Sequence, residues 1–334
     1  MTRLNKNSAS KKTYYEKGGR NDIISTDKLN RALVGMTFDN DDTNTISYNP
    51  LPKTQDEIIT VCGYSLDSNV RFERTLTQIE KSVMDAIYTL WYRDQIKEKY
   101  ADVECDHWYS LTQIARIVRG ANDDARFSRE YLSMISDALE KVSFMKVEID
   151  CREEMEARFF ANKITKDECK RMKYIYSAWV QLLPCKLYER RNADNPDDRI
   201  LIGVEVTEEP PLYSYSLLSE GYEKVSVKKF QFPEGMALTR QRIILRNYLR
   251  ERIMMINRAE ISNIVSYSTL FPIALGKKED DCSYTEKSRL LKDMKAILSQ
   301  FAKDGVLDED KPYQPIMKKT KRHDKESGIK LFLS

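Results

Sequence analysis

The chain has 334 residues, 41% of them apolar and 32% charged, which suits a helix-rich globular protein with two cored domains and a tail. No stretch of about 18 uncharged apolar residues occurs, and no apolar block follows the basic residues Arg3, Lys6, Lys11 and Lys12, so neither a membrane span nor a secretory signal is expected. The net charge of +3 hides an asymmetry, because residues 224–334 hold 23 Lys/Arg against 14 Asp/Glu, making the C-terminal part the expected phosphate-binding part.

Residues 1–70 are rich in Asn, Ser, Lys, Asp and Thr without a sustained period and are expected to form an arm that is flexible or only locally ordered. Within it, Ile58, Ile59, Val61 and Tyr64 have the makings of a short strand. A first domain is expected over 71–206. Thr77 and Glu80 have capping-box spacing at the start of a helix carrying Val83, Ile87, Leu90 and Trp91 inward. A second helix, 111–119, is capped by Ser110 or Thr112 and ends at Gly120. A third, 128–142, carries the stripe Tyr131, Ile135, Ala138, Leu139 and Val142, one face of an α-helix. Phe144, Val147 and Ile149 then alternate as in a wing strand, and the charged span 152–173 reads as an insertion in the wing loop. A further strand covers 200–206.

Residues 207–235 form a structured connector in which Glu208-Glu209-Pro210-Pro211 reads as a helix stop and Tyr213, Tyr215, Val225, Val227, Phe230 and Phe232 as strand positions. The second domain, 236–334, repeats the first. A long helix opens at Leu238-Thr239, as the earlier one opens at Leu76-Thr77. A shorter helix near 261–270 stops at Pro272. The third helix, from Ser283 or Thr285, carries Leu290, Met294, Ile297, Leu298 and Phe301. Leu76 and Leu139 are 63 residues apart, Leu238 and Leu298 60. The last runs, 314–317 and 329–333, flank Lys318, Lys319, Lys321 and Arg322 in a hairpin with a basic tip.

Three helices followed by a hairpin form the layout of a winged helix-turn-helix, in which the third helix enters the major groove of duplex DNA. On that helix of the second domain, Lys287, Ser288, Arg289, Lys292 and Lys295 lie off the apolar stripe. Arg289 is the expected guanine reader, because its fork matches O6 and N7, and the lysines are expected on phosphates. The same face of the first domain offers Ser128, Arg129 and Lys141, with Arg116, Arg119 and Arg126 upstream, diluted by acids. Arg242, Arg246 and Arg250 share a helix face and either line the DNA backbone or pair with acids of the first domain's insertion.

Catalytic and cofactor motifs are missing. Two histidines cannot build a paired-histidine metal site, no phosphate loop exists among the 11 glycines, and the acidic clusters sit in polar loops. No enzyme, no metal site and no cofactor are expected. The six cysteines, without a C-x-x-C pair, fit free thiols in the cytoplasm.

The Leu-Thr openings, the third helices 128–142 and 285–301, and the basic C-terminal wing together resemble the replication initiator proteins of plasmids and related mobile elements. The resemblance spans about residues 70–334; the insertion 152–173 and the acidic first domain depart from it. It implies two tandem winged helices in an α+β, helix-rich chain, binding repeated origin sites on double-stranded DNA. It also implies monomer–dimer control as a homodimer, recruitment of host replication proteins, and no enzymatic activity. A transcriptional regulator on the same modules, or a protein-binding adaptor of a mobile element, are the alternatives from sequence.

Overall fold

The computed structural model of the protein describes residues 21–27, 30, 45–48, 59–63, 76–101, 103–120, 126–149, 152–175, 180–191, 199–259, 261–277, 279–318 and 325–334. The chain is α+β, with helices packed around small antiparallel sheets. No described helix is long and apolar enough to cross a membrane. It divides into two compact units: 1–115 with 132–224, and 116–131 with 225–334.

In the first unit α1 (Gln78–Ala101) is capped as its spacing requires, the Glu80 carboxylate accepting the Thr77 amide at 2.7 Å. Its Val83, Ile87, Leu90 and Trp91 are buried, but so is the rest of its surface from Gln78 to Trp91. The polar side is covered by β1 (Asn21–Ser25). Asp85 accepts the Ser25 amide (3.0 Å), Lys81 donates to the Ser25 carbonyl (2.8 Å) and pairs with Asp85 (3.1 Å), and Thr89 accepts the Ile23 amide (2.8 Å). These charges lose water and keep partners, as burial demands. The flexible-arm expectation therefore fails for 21–27, where Ile23 and Ile24 are core. Further on, β2 (Thr45–Tyr48) pairs antiparallel with β3 (Ile59–Gly63), and β3 is the short strand expected around Ile59 and Val61. Asp27 is buried too, accepting from the Asn30 amide (2.8 Å) and the Ser216 hydroxyl (2.6 Å), and burial pushes its carboxyl above its ordinary value.

Next come β4 (Trp108–Ser110), α2 (Leu111–Arg119) and α3 (Arg129–Phe144). Ser110 caps α2, accepting the Gln113 amide at 3.2 Å, and Gly120, at φ 70°, ends it in the left-handed conformation glycine tolerates. All five stripe residues of α3 are buried. The expected wing strand is placed differently: β5 (Met145–Ile149) pairs with β3 and with β6 (Val180–Gln181), in a four-stranded sheet. Two helices, α4 (Arg152–Phe160) and α5 (Lys166–Ile175), lie between β5 and β6. The charged insertion thus precedes the hairpin formed by β7 (Cys185–Arg191) and β8 (Arg199–Val206), and is not its loop.

The connector also differs. Pro210 and Pro211 begin a helix, α6 (Pro211–Leu218), burying Tyr213 and Tyr215. Proline's fixed φ and missing N–H suit a first turn as well as they suit a stop, so the pair has two readings. A strand, β9 (Tyr222–Ser226), follows and pairs with β1.

In the second unit α7 (Arg240–Asn257) is capped by Thr239. It leads through β10 (Ile264–Ser266) to α8 (Tyr267–Leu275), α9 (Tyr284–Lys303), and a hairpin of β11 (Tyr313–Lys318) and β12 (Lys325–Leu331). Pro272 lies inside α8, which ends instead at left-handed Gly276. The α9 stripe is buried, and Phe301 meets Phe230 edge-on at 4.9 Å.

The two halves share more than element order. Both small sheets run short strand, last strand, hairpin partner: β4-β8-β7 and β10-β12-β11. Ser110 faces Gly203 and Ser266 faces Gly328. On the other side of each glycine stand Tyr188 and Ile316, and in both ladders the register shifts at the next residue. A Cβ on either glycine would sit 2.6 Å from a carbonyl oxygen, of Tyr109 or of Val265.

Candidate nucleic-acid interface

The second unit's α9 begins at Ser283, whose hydroxyl accepts the Glu286 amide (3.2 Å) while Glu286 accepts the Ser283 amide (2.9 Å). Lys277 also donates to Glu286 at 2.8 Å; with the two Ser283 bonds it holds this carboxyl down at about 2. Asp293 takes a two-pronged bond from Arg242, at 2.8 and 3.0 Å, which raises the guanidinium pKa further. Asp304 accepts the Gln231 amide (2.7 Å) and the Gln300 side chain (2.8 Å). The three acids nearest this helix in sequence are therefore each held by internal partners.

The cations stand otherwise. Ser288, Arg289 and Lys292 are exposed, and no side-chain partner engages them among the described residues. Lys287 lies 5.8 Å from the centre of the Phe271 ring, and Lys295 4.0 Å from Glu326. Lys287, Ser288, Lys292 and Lys295 line one groove of about 480 Å³, with Tyr267 and Phe271 of α8 and Glu326 of β12. Arg289 is on the same helix but outside the groove. Lys318 is exposed at the end of β11; Lys319, Lys321 and Arg322 lie outside the described residues.

Two expected DNA contacts are corrected. Arg246 is 2% exposed and donates to the Phe230 carbonyl (2.8 Å), the Asn247 side chain (2.9 Å) and the Val118 carbonyl (3.4 Å), with Phe232 against its guanidinium. Arg242 is committed to Asp293 and the Ala237 carbonyl (3.0 Å). The regular spacing of these arginines arises because α7 is buried almost all round, so its long polar side chains tie neighbouring backbone together. Arg250 is buried as well.

On α3, Ser128 is a helix cap, accepting the Tyr131 amide at 3.2 Å. Arg126 and Arg129 are exposed beside it, and Arg119 donates to the Arg126 carbonyl at 3.5 Å. Lys141 is corrected: it is 7% exposed and sits 3.6 Å from Glu80. The sequence reading missed Tyr284, which is 86% exposed at the first turn of α9, and Glu326, whose carboxylate accepts the Tyr267 hydroxyl. Burial and that bond raise the Tyr267 phenol. No group of three His, Cys, Asp or Glu among the described residues is placed to hold a metal. Compared with known protein families, with curated proteins and with solved structures, the chain finds no match in any of the three.

Proposed function

We propose that the chain is a sequence-specific duplex-DNA-binding protein built on two winged helix-turn-helix modules. The second unit has the helix, strand, helix, helix, hairpin order that this class uses. The first follows it only through its third helix, with β5, α4, α5 and β6 inserted before the hairpin. In both, the strand next to the second helix pairs with the hairpin's second strand, which supports the reading. In the second, α9 is the recognition helix. The observation that carries this reading is its charge: its acids are internally engaged, while Arg289 and Lys292 face solvent. Arg289 reads guanine, Ser288 supports it, and Lys287, Lys292 and Lys295 contact phosphates. Arg126, Ser128 and Arg129, at the start of the first module's third helix but grouped with the second compact unit, make a weaker contact.

Within this class, the reading is a replication initiator of a plasmid, phage or integrative element. It binds repeated origin sites and recruits host replication proteins, acts in the cytoplasm, and has no catalysis of its own. The resemblance in sequence supports this, and the basic C-terminal part fits the duplex contact.

Duplex binding measured across a salt series tests the proposal. Affinity falls steeply with salt, because each neutralised phosphate releases counterions. Arg289→Ala weakens a specific site about tenfold, and Lys292→Ala lowers the salt slope by about one. Salt-independent binding, or two variants that bind like the wild type, would contradict the assignment.

A further inference from the structure

We propose that the α8–α9 groove of the second unit takes one unpaired nucleotide of a single DNA strand, its base stacked on Tyr284 and its phosphate among Lys287, Lys292 and Lys295. The inference rests on reading α9 as a nucleic-acid-contacting helix and adds a second ligand state to it.

The groove has chemistry that duplex contact does not use. Its floor is apolar and aromatic, with the rings of Tyr267 and Phe271 5.6 Å apart, and Leu291 beside them. Tyr284 stands at the edge, 86% exposed on a helix whose large apolar residues are otherwise buried, apart from half-buried Leu291 in the groove. A paired base offers only its edges to a protein, whereas an unpaired base offers a π-face to an aromatic ring. The groove's volume of about 480 Å³ lies within the range of small-molecule sites and accommodates a base with its sugar.

The rim supplies the remaining parts. Three ammonium groups face two carboxylates, so the groove favours an anion. Glu326 is held in place by the Tyr267 hydroxyl, and its remaining acceptor sites can take an N–H from a base edge. Arg289 continues the row of cations along α9 outside the groove. A second phosphate would give this exposed guanidinium a partner that a single bound nucleotide does not supply, which favours a strand as the source.

The test uses the full chain and fluorescence anisotropy with two probes, an oligo(dT) of about 15 nucleotides and a duplex carrying a bound site. Tyr284→Ala weakens oligo(dT) binding about tenfold, the order expected for loss of one stack. Tyr284→Phe keeps the ring and binds within about twofold of the wild type, and duplex affinity of both variants stays within about twofold. Equal oligo(dT) affinity in wild type and Tyr284→Ala overturns the proposal and leaves the duplex reading standing. So does equal weakening of both probes, which makes Tyr284 a duplex contact. Thymidine monophosphate competing as well as the oligomer, per nucleotide, overturns the assignment to a strand. Tyr284-dependent oligo(dT) binding with no duplex binding overturns the duplex reading instead, and binding to neither probe overturns both.

Discussion

Arg246 has exchanged its water for protein acceptors: the Phe230 and Val118 carbonyls and the Asn247 side chain surround a guanidinium that is 2% exposed. Removing it strands those acceptors and opens a cavity, so Arg246→Ala costs about 3 kcal/mol. Arg242→Ala costs less, about 1–2 kcal/mol, because the pair with Asp293 keeps some water, at 18% and 13% side-chain exposure. Both losses appear as lower urea midpoints, while duplex affinity measured on the folded variants stays near wild type. Arg289→Ala does the reverse, lowering affinity with an unchanged midpoint. Weakened duplex binding by Arg242→Ala at an unchanged midpoint would put that arginine back on the DNA.

At the scale of elements, Gly203 and Gly328 hold equivalent places in the two small sheets. A Cβ at either meets a backbone oxygen at 2.6 Å, so the crossing strand, β4 or β10, has to move. Gly203→Ala and Gly328→Ala are each expected to cost about 2 kcal/mol, read by thermal or urea unfolding, with β4 or β10 the strand whose amides lose protection from exchange. If either variant unfolds like the wild type, the tight crossing at that site is wrong. The β11–β12 hairpin was legible in the sequence, but the pairing of β4 and β10 was not. The stripes Tyr131 to Val142 and Leu290 to Phe301 were legible too, because a helix writes its buried face as a local period. A ladder joins residues far apart in the chain, and three-residue strands such as β4 and β10 are too short to show alternation. The segment 21–27 was misread for a related reason. Lys81, Asp85 and Thr89 follow a helical face that looks solvated, yet each bonds a backbone group or hydroxyl of β1. Polar residues that receive a buried strand carry the same letters as polar residues that face water.

At the scale of the whole chain, the sequence shows where cations gather, but not which of them the fold leaves exposed. Charge totals pointed to the C-terminal part, and Lys287, Ser288, Lys292 and Lys295 do line one groove, with Arg289 beside it. Composition could not tell which arginines are consumed inside the fold, because that depends on where α7 and α9 meet: Asp293 answers Arg242 across 51 residues of sequence. Nor could it single out Tyr284, an aromatic off the buried stripe that reads like any other exposed residue. The central claim is that α9 reads duplex DNA by sequence. It is tested most directly by selection from a randomised duplex library at near-physiological salt, with wild type and Arg289→Ala side by side. The account predicts that wild type enriches one short site containing a guanine, and that Arg289→Ala relaxes preference at that guanine alone. Uniform recovery of all sequences by the wild type would contradict it.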